Sequence, residues 1–149
     1  MRPLVLLLCV CACGGRLADD NASQNDATSD ASPVNPFVGG QHWKGTYYCA
    51  QGLTNLDLQI VSTHGDTIDD ALFNFDWSGG ISGSFHLSGT FDPTTLSATF
   101  APGAWINHPA HWYSVGMAGT VDVSTMSYTG NIADPVHAAC GTFSVELAH

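Results

Sequence analysis

Two stretches of the chain share one pattern, and this pattern decides the fold. Residues 84–99 read SFHLSGTFDPTTLSAT, and residues 114–129 read SVGMAGTVDVSTMSYT. Seven of the 16 aligned positions are identical, and apolar residues stand at matching places. In both copies apolar side chains alternate with polar or small ones, which is the period of a β-strand with one buried face. Each copy therefore predicts a strand, a turn that begins at Asp92 or Asp122, and a return strand.

The two aspartates suit these turns because an Asp side chain accepts hydrogen bonds from the backbone of the residues that follow it. A looser third copy begins at Gly45 and returns at Leu56. Repeated short hairpins are a common device of β-architecture, and we therefore favour an architectural role for the repeat. A pair of equivalent ligand sites is the alternative that the repeat leaves open.

The rest of the domain follows the same period. From residue 37 onward, Gly, Asn, Asp, Ser and Pro divide the chain into short segments, and no segment keeps a helical period over three turns. About eight strands are predicted, at residues 43–50, 54–62, 68–77, 81–92, 95–100, 112–122, 125–132 and 139–147. Spacing of this kind predicts an all-β antiparallel meander that forms a small barrel or a sandwich. Asp69 and Asp70, at the start of the third strand, are expected on opposite faces, where they do not form an acid–base pair.

The charge balance narrows the function. Of the 149 residues only 11% are charged, and 3 Lys and Arg face 13 Asp and Glu, which gives a net charge of −10. A protein that binds nucleic acid by neutralising phosphates needs a basic surface, and adsorption to an anionic membrane surface needs one too. The acidic composition therefore excludes both nucleic-acid binding by phosphate neutralisation and adsorption to an anionic membrane by charge. The hydrophobic share of 44% indicates instead a chain with a folded core.

The first residues have the features of an export signal. Arg2 precedes an apolar run over residues 4–12. This run is shorter than the ~20 residues of a membrane span and fits the apolar region of a secretory signal peptide. It ends in Val10-Cys11-Ala12-Cys13, which resembles the lipobox of bacterial lipoproteins. In that family the last cysteine becomes the first mature residue and carries acyl chains, so the resemblance implies lipidation at Cys13.

Gly14 follows the box, and in the lipoprotein family a residue other than Asp at this place implies delivery to the outer membrane. Plain secretion, with cleavage within residues 12–18, is the alternative. Residues 19–36 hold four Asp and little to bury, which predicts a disordered spacer. We thus predict a signal peptide at 1–12, an acidic tether at 13–36 and an all-β domain at 37–149, anchored to the membrane of the cell envelope through the lipid.

Cys49 and Cys140 are the cysteines that remain when the signal peptide and Cys13 are set aside. An exported domain of this size is a natural host for a disulfide, and a bond between these two residues would join the first strand to the last. The chain-entropy model assigns roughly 4 to 5 kcal/mol of stabilisation to so long a loop. Two free thiols, with Cys49 as a nucleophile, are the alternative.

Residues with catalytic potential are few. His108, His111 and His137 are weak candidates for metal ligands, because a metal site needs at least three donors and Pro109 places the close pair on a loop without fixed geometry. The chain contains neither the Gly-x-Ser-x-Gly elbow of hydrolases nor a phosphate-binding Gly-Lys-Ser/Thr. We predict no catalytic residue and no cofactor, and metal-assisted hydrolysis is the least favoured function.

Aromatic side chains are concentrated in one short segment. Trp105, His108, His111, Trp112 and Tyr113 lie within nine positions. Exposed rings with polar neighbours are how β-domains stack on sugars and anchor partners, so these five residues are the candidate ligand-binding set. The alternative is a loop that folds back and plugs one end of a barrel with both tryptophans buried.

Two resemblances accompany these motifs. Segments at residues 43–54, 105–109 and 140–143 are similar to a small all-β domain of bacterial exported proteins, which has no assigned activity. The opening Trp43-x-Gly45-x-Tyr47 resembles the first strand of calycin-like barrels, which implies a small barrel with an apolar interior. We expect a non-catalytic envelope protein whose partner is an envelope macromolecule or a small ligand. A calycin-like binder of a lipid or saccharide is the alternative.

Overall fold

In the computed structural model, residues 34–133 and 139–149 are described, and their secondary structure consists of antiparallel strands. The strands are β1 (His42–Cys49), β2 (Gly52–His64), β3 (Thr67–Trp77), β4 (Ile81–Asp92), β5 (Ser97–Asn107), β6 (Gly116–Asp122), β7 (Ser127–Ala133) and β8 (Thr142–Leu147). Each strand pairs with its neighbours in chain order, and β8 pairs with β1, so that the meander closes into a barrel. The predicted all-β fold in its small-barrel form is confirmed, and the sandwich alternative is wrong. Within the described residues no helix is long and apolar enough to cross a membrane.

The observed strands depart from the predicted ones mainly at β5 and β6. The predicted fifth strand ends at residue 100, whereas β5 continues to Asn107, and β6 begins at Gly116 and not at residue 112. Pro102 and the glycine after it make this stretch resemble a loop in the sequence. Proline is tolerated in sheets at edges and bulges. Both conditions hold at Pro102, because β5 pairs with β6 only up to Phe100 and because the register between β4 and β5 shifts here.

Four glycines occupy inward positions in the middle of strands, namely Gly45, Gly89, Gly119 and Gly130. A Cβ atom at any of them would collide with a backbone carbonyl oxygen of the neighbouring strand. Glycine at such a point lets strands bend and approach closely, as the closure of a narrow barrel requires. Gly89 and Gly119 are equivalent positions of the two sequence repeats, so the repeat serves the curvature of the barrel.

The predicted turns at Asp92 and Asp122 are confirmed. The Oδ1 atom of each aspartate accepts a hydrogen bond from the backbone N–H two residues later, at 2.8 Å in both copies. The turns end at Leu96 and Met126, which have left-handed φ angles of 54° and 51°. The two copies of the repeat are therefore structurally equivalent hairpins, β4–β5 and β6–β7.

Asp69 and Asp70 do not lie on opposite faces, so that expectation is wrong. The register between β3 and β4 shifts between Ile68 and Ala71, and both of these residues are fully buried. The two aspartates between them stay on the outer side, where Asp70 pairs with Nδ1 of His86 at 2.7 Å. Strict alternation from Ala71 would have placed the charge of Asp69 in the core, and the bulge avoids that cost.

The end of the barrel at which β1 begins is closed by the segment that precedes it. Phe37 is 1% exposed, and its ring centroid lies 4.9 Å from that of Trp43 and 5.5 Å from that of Tyr128. Asn35 secures this plug, because its Nδ2 donates to the carbonyl of Gly65 at 2.9 Å. The barrel thus takes in residues 35 and 36, two positions before the predicted domain start. The predicted signal peptide, Cys13 and the tether up to residue 33 lie outside the described residues.

The predicted disulfide between Cys49 and Cys140 is confirmed, and the free-thiol alternative is wrong. Cys49 ends β1, and Cys140 stands just before β8, so the bond spans the pair of strands that closes the barrel. Beside it, the N–H of Gly141 donates to the carbonyl of Tyr48 at 2.8 Å. The disulfide therefore reinforces the closure at the end opposite the Phe37 plug, which we call the mouth.

Candidate ligand-binding site

The mouth of the barrel contains a cavity of about 440 Å³. The turns after β1 and β3 and the long connection between β5 and β6 contribute to its walls. Its aromatic lining residues are Tyr47, Phe73, Phe75, Trp77, Phe85, Trp112 and Tyr113. Ile81, Val115 and the Cys49–Cys140 disulfide add further apolar surface. The cavity is therefore an aromatic cup within the open end of the barrel.

Trp112 reaches the cavity because the connection between β5 and β6 folds over the mouth. Its indole stacks on the ring of Phe75, with centroids 4.6 Å apart and an angle of 15° between the planes. The backbone turns back at this point: the N–H of Trp112 donates to the carbonyl of Pro109 at 3.3 Å, and His111 between them has a left-handed φ of 67°. Trp112, His111 and the 58% exposed Tyr113 all line the cavity.

Trp105 and His108 support this connection and do not line the cavity. Trp105 lies on β5, and its ring contacts Phe85 with centroids 4.9 Å apart. The imidazole of His108 stacks on Trp105 at 4.3 Å, and its Nε2 is 2.9 Å from the carbonyl oxygen of Trp112. This nitrogen must carry a proton in order to donate to that carbonyl. The predicted set of five residues is thus divided into three that line the cavity and two that hold the loop.

The loop does fold back over one end of the barrel, as in the alternative, but it does not fill the mouth. Trp105 and Trp112 are half-buried, and a cavity remains beneath the loop. The segment that plugs the barrel is the one around Phe37, at the other end. A single Phe just before the first predicted strand carries no distinctive signal, so the sequence did not indicate this plug.

Several cavity residues were not predicted as site residues. Phe73, Phe75 and Trp77 alternate along β3, which indicates only an inward face, and Tyr47 belongs to the Trp-x-Gly-x-Tyr motif. One signal was available in the sequence: these aromatic residues stand near strand ends, and the ends concerned lie on the same side of the predicted meander. Without knowledge of which end is plugged, this signal does not distinguish a cavity wall from core.

One group of polar atoms in the cavity wall belongs to Tyr47 and Gln51, at the β1–β2 turn. Gln51 Nε2 donates to Thr54 Oγ1 at 3.0 Å, and Thr54 Oγ1 donates to the carbonyl of Gly52 at 3.3 Å. Burial raises the pKa of the Tyr47 hydroxyl well above its usual value, and hydrogen bonds with Thr54 and Gln51 offset this only in part. Tyr47 is therefore a neutral hydroxyl at any physiological pH, able to donate a hydrogen bond.

The described residues that line the cavity include no Asp, Glu, Lys or Arg. Lys44, the one Lys or Arg in the described part of the chain, is on the outer face with its Nζ 3.9 Å from Asp57. The interior of the mouth therefore offers an ionic ligand no opposite charge among these residues.

The metal-ligand candidates do not form a donor set in this region. His108 is engaged with Trp112, His111 lines the cavity, and His137 lies outside the described residues. Nowhere in the described ranges do three His, Cys, Asp or Glu side chains come close enough together to hold a metal ion.

Comparisons of the chain with protein-family models, with curated proteins and with solved structures found no match. The class of the protein is therefore defined by its own geometry, as a closed eight-stranded antiparallel barrel with an aromatic cavity at one end. Function has to be inferred from that cavity and from the residues around it.

Proposed function

We propose that this protein is a non-catalytic binding protein of the cell envelope, which holds a small ligand in the mouth of its barrel. The observation that carries the proposal is the cavity of about 440 Å³ with aromatic walls. Small-molecule sites are typically concave, mostly apolar, roughly 300 to 1,000 Å³ in volume, and equipped with a few polar groups that orient the ligand. Tyr47 and Gln51 provide such groups here.

The lining supports binding over catalysis. Proton transfer to a bound molecule requires a titratable side chain in contact with it, and His111 is the one His, Asp, Glu or Lys among the described lining residues. Among the described lining residues no carboxylate stands opposite His111 to orient its ring, and no Lys or Arg is available to stabilise a developing negative charge. An envelope macromolecule is the alternative partner, but no described surface favours it over a ligand in the cavity.

The envelope location rests on the N-terminal sequence and on the disulfide. The run that ends in Cys13 resembles a lipobox, and disulfides persist in exported proteins. The chain enters the barrel at the Phe37 plug, which is the end opposite the mouth.

The binding proposal is tested with the neutral dye N-phenyl-1-naphthylamine and the full chain carrying Cys13→Ser. This change removes the proposed lipidation site, so that no detergent is needed that could occupy the cavity. We expect saturable binding at one site, weakened about tenfold or more by Trp112→Ala, since an aromatic wall is lost. The matched control is Tyr48→Ala, which removes a 56% exposed ring outside the cavity. Absence of saturable binding, or equal loss in both variants, would overturn the proposal.

The anchor is tested separately by growing an expressing bacterium with radiolabelled palmitate. We expect the label in the wild-type protein and not in the Cys13→Ser variant. Cys11→Ser is the matched control, since it retains the proposed acceptor. An unlabelled, soluble wild-type protein in the medium would instead support plain secretion.

A further inference from the structure

The charge of the lining restricts what the cavity can bind. An ion that enters an apolar site without a partner loses its hydration, and this costs several kcal/mol even after relaxation. The described lining residues supply no charged partner, and the net charge of −10 repels anions further. Free fatty acids and other anionic lipids are therefore unfavourable occupants with their head group inside.

The depth of the cavity restricts the shape of the ligand. Phe73 and Phe85 form its floor: their rings stack with centroids 4.7 Å apart and an angle of 14°, and both are buried. Farther along β3 and β4 toward the closed end lie Ala71, Ile68 and Leu87, which are fully buried and do not line the cavity. A long acyl chain has no path along the barrel axis, so the occupant has to be compact.

The polar groups restrict the number of hydrogen bonds. Among the polar side chains of the described lining, Tyr47 and Gln51 stand together on the β1–β2 side of the cup, whereas His111, the Tyr113 hydroxyl and the indole N–H groups of Trp77 and Trp112 come from other walls. A saccharide with many hydroxyl groups would leave most of them unpaired in an apolar site, which is costly. A ligand with one or two polar atoms would match the pair formed by Tyr47 and Gln51.

We infer that the occupant of the cavity is an electrically neutral molecule of two or three planar rings, with a single polar function directed to Tyr47 and Gln51. The size follows from volume: a cavity of about 150 Å³ binds benzene, and this one measures about 440 Å³. The inference rests on the proposed function and gives it a ligand class.

Two matched pairs of probes test the neutrality of the ligand on the full chain carrying Cys13→Ser. N-phenyl-1-naphthylamine and 1-anilinonaphthalene-8-sulfonate share one ring skeleton, and the second adds a negative charge. Acridine at pH 8 and 10-methylacridinium form the pair for a positive charge. We expect the neutral member of each pair to bind about tenfold or more tightly than its ion, because the ion is not paired in the site.

A third experiment tests the polar function through Tyr47→Phe, which keeps the ring and removes the hydroxyl. We expect roughly three- to tenfold weaker binding of 1-naphthol, the range of one hydrogen bond, and unchanged binding of naphthalene. Tyr48→Phe is the matched control, since its hydroxyl lies outside the cavity, and it should change neither affinity.

The outcomes separate this inference from the function on which it rests. If the ions bind as tightly as the neutral probes and Trp112→Ala still weakens all of them, the barrel is a small-ligand binder and the ligand class is wrong. If Tyr47→Phe weakens naphthalene as much as 1-naphthol, the polar assignment is wrong. If no probe binds, the proposed function and the inference fail together.

Discussion

The indole of Trp112 and the ring of Phe75 stack face to face, with centroids 4.6 Å apart and planes inclined by 15°. Phe75 belongs to β3 and is buried, whereas Trp112 belongs to the connection between β5 and β6 and is half-buried. This contact joins a long loop to the rigid barrel and forms one wall of the cavity. The same residue pair therefore serves the stability of the loop and the shape of the proposed site.

Removal of this stacked pair should destabilise the protein modestly. We expect Trp112→Ala to lower the free energy of unfolding by about 2 to 3 kcal/mol, since the aromatic pair contributes about 1 kcal/mol beyond its buried area and the buried part of the indole adds a comparable hydrophobic contribution. Urea denaturation measures the change. Trp112→Phe keeps a ring against Phe75 and should lose less than half as much. Equal losses in the two variants would indicate that stacking is not the source of the stabilisation.

Reduction of the disulfide should have a larger effect. The bond closes a loop whose ends are 91 residues apart in sequence, and the chain-entropy model gives about 4 to 5 kcal/mol for such a loop. We expect dithiothreitol and the double variant Cys49→Ser/Cys140→Ser each to lower the urea midpoint strongly. The reductant should have no effect on the double variant. A wild-type midpoint that is insensitive to reductant would contradict the expected constraint.

A methyl group at an inward glycine should disturb barrel closure. In Gly119→Ala the new Cβ meets the carbonyl oxygen of Thr129, which belongs to a paired strand and cannot move freely. We expect a loss of about 1 to 3 kcal/mol, the usual range for overpacking, measured by urea denaturation. Gly141→Ala is the matched control, because the nearest atom to its Cβ is 3.8 Å away. Equal stability of the two variants would contradict the role of Gly119 in the close approach of β6 and β7.

The repeated turns should make the protein sensitive to acid. A hydrogen bond from the backbone of Thr94 lowers the pKa of Asp92 below the usual 3.8. Hydrogen bonds from the side chain and the backbone of Ser124 lower the pKa of Asp122 in the same way. A pKa that is lower in the folded state favours folding above pH 3.8, and this contribution is lost as the pH falls through the folded pKa. Urea midpoints at pH 5 and pH 2.5 should therefore differ less in Asp92→Asn/Asp122→Asn than in the wild type. An unchanged difference would show that other groups dominate the acid response.

The hydroxyl of Tyr128 should contribute to stability from within the core. It donates to the carbonyl oxygen of Ala98 at 2.9 Å, and burial raises its pKa far above the usual value. Tyr128→Phe leaves that carbonyl without its partner, and we expect a loss of about 1 kcal/mol in urea denaturation. Because the folded pKa is raised, the neutral hydroxyl favours folding below pH 10, and this contribution is lost as the pH rises beyond it. Tyr48→Phe, at an exposed ring, should leave the stability unchanged.

Local rules account for the parts of the structure that were predicted correctly. Alternation with a period of two recurs in each strand, so that strand number and most strand bounds follow from single segments. The turns at Asp92 and Asp122 follow from the hydrogen-bonding capacity of one side chain. The Cys49–Cys140 bond follows from the count of cysteines once the residues of the predicted export signal are set apart.

The predictions were wrong where pairing with a neighbouring strand overrode a preference of the local sequence. Pro102 indicates a loop by itself, yet it is accommodated because the ladder to β6 has already ended. Asp69 would face the core by alternation, and a bulge at β3–β4 keeps it outside. In both cases the outcome depends on pairing partners that lie far away along the chain.

The sequence alone thus determined an all-β meander with a disulfide, because periodicity, turn chemistry and cysteine count are properties of short segments or of composition. Only the tertiary structure decided which end of the barrel is closed and which of the aromatic residues face a cavity. Phe37 became the plug and Trp112 a wall because strands distant in sequence converge at the two ends of a closed sheet. That convergence is a property of the whole chain, and no single segment encodes it.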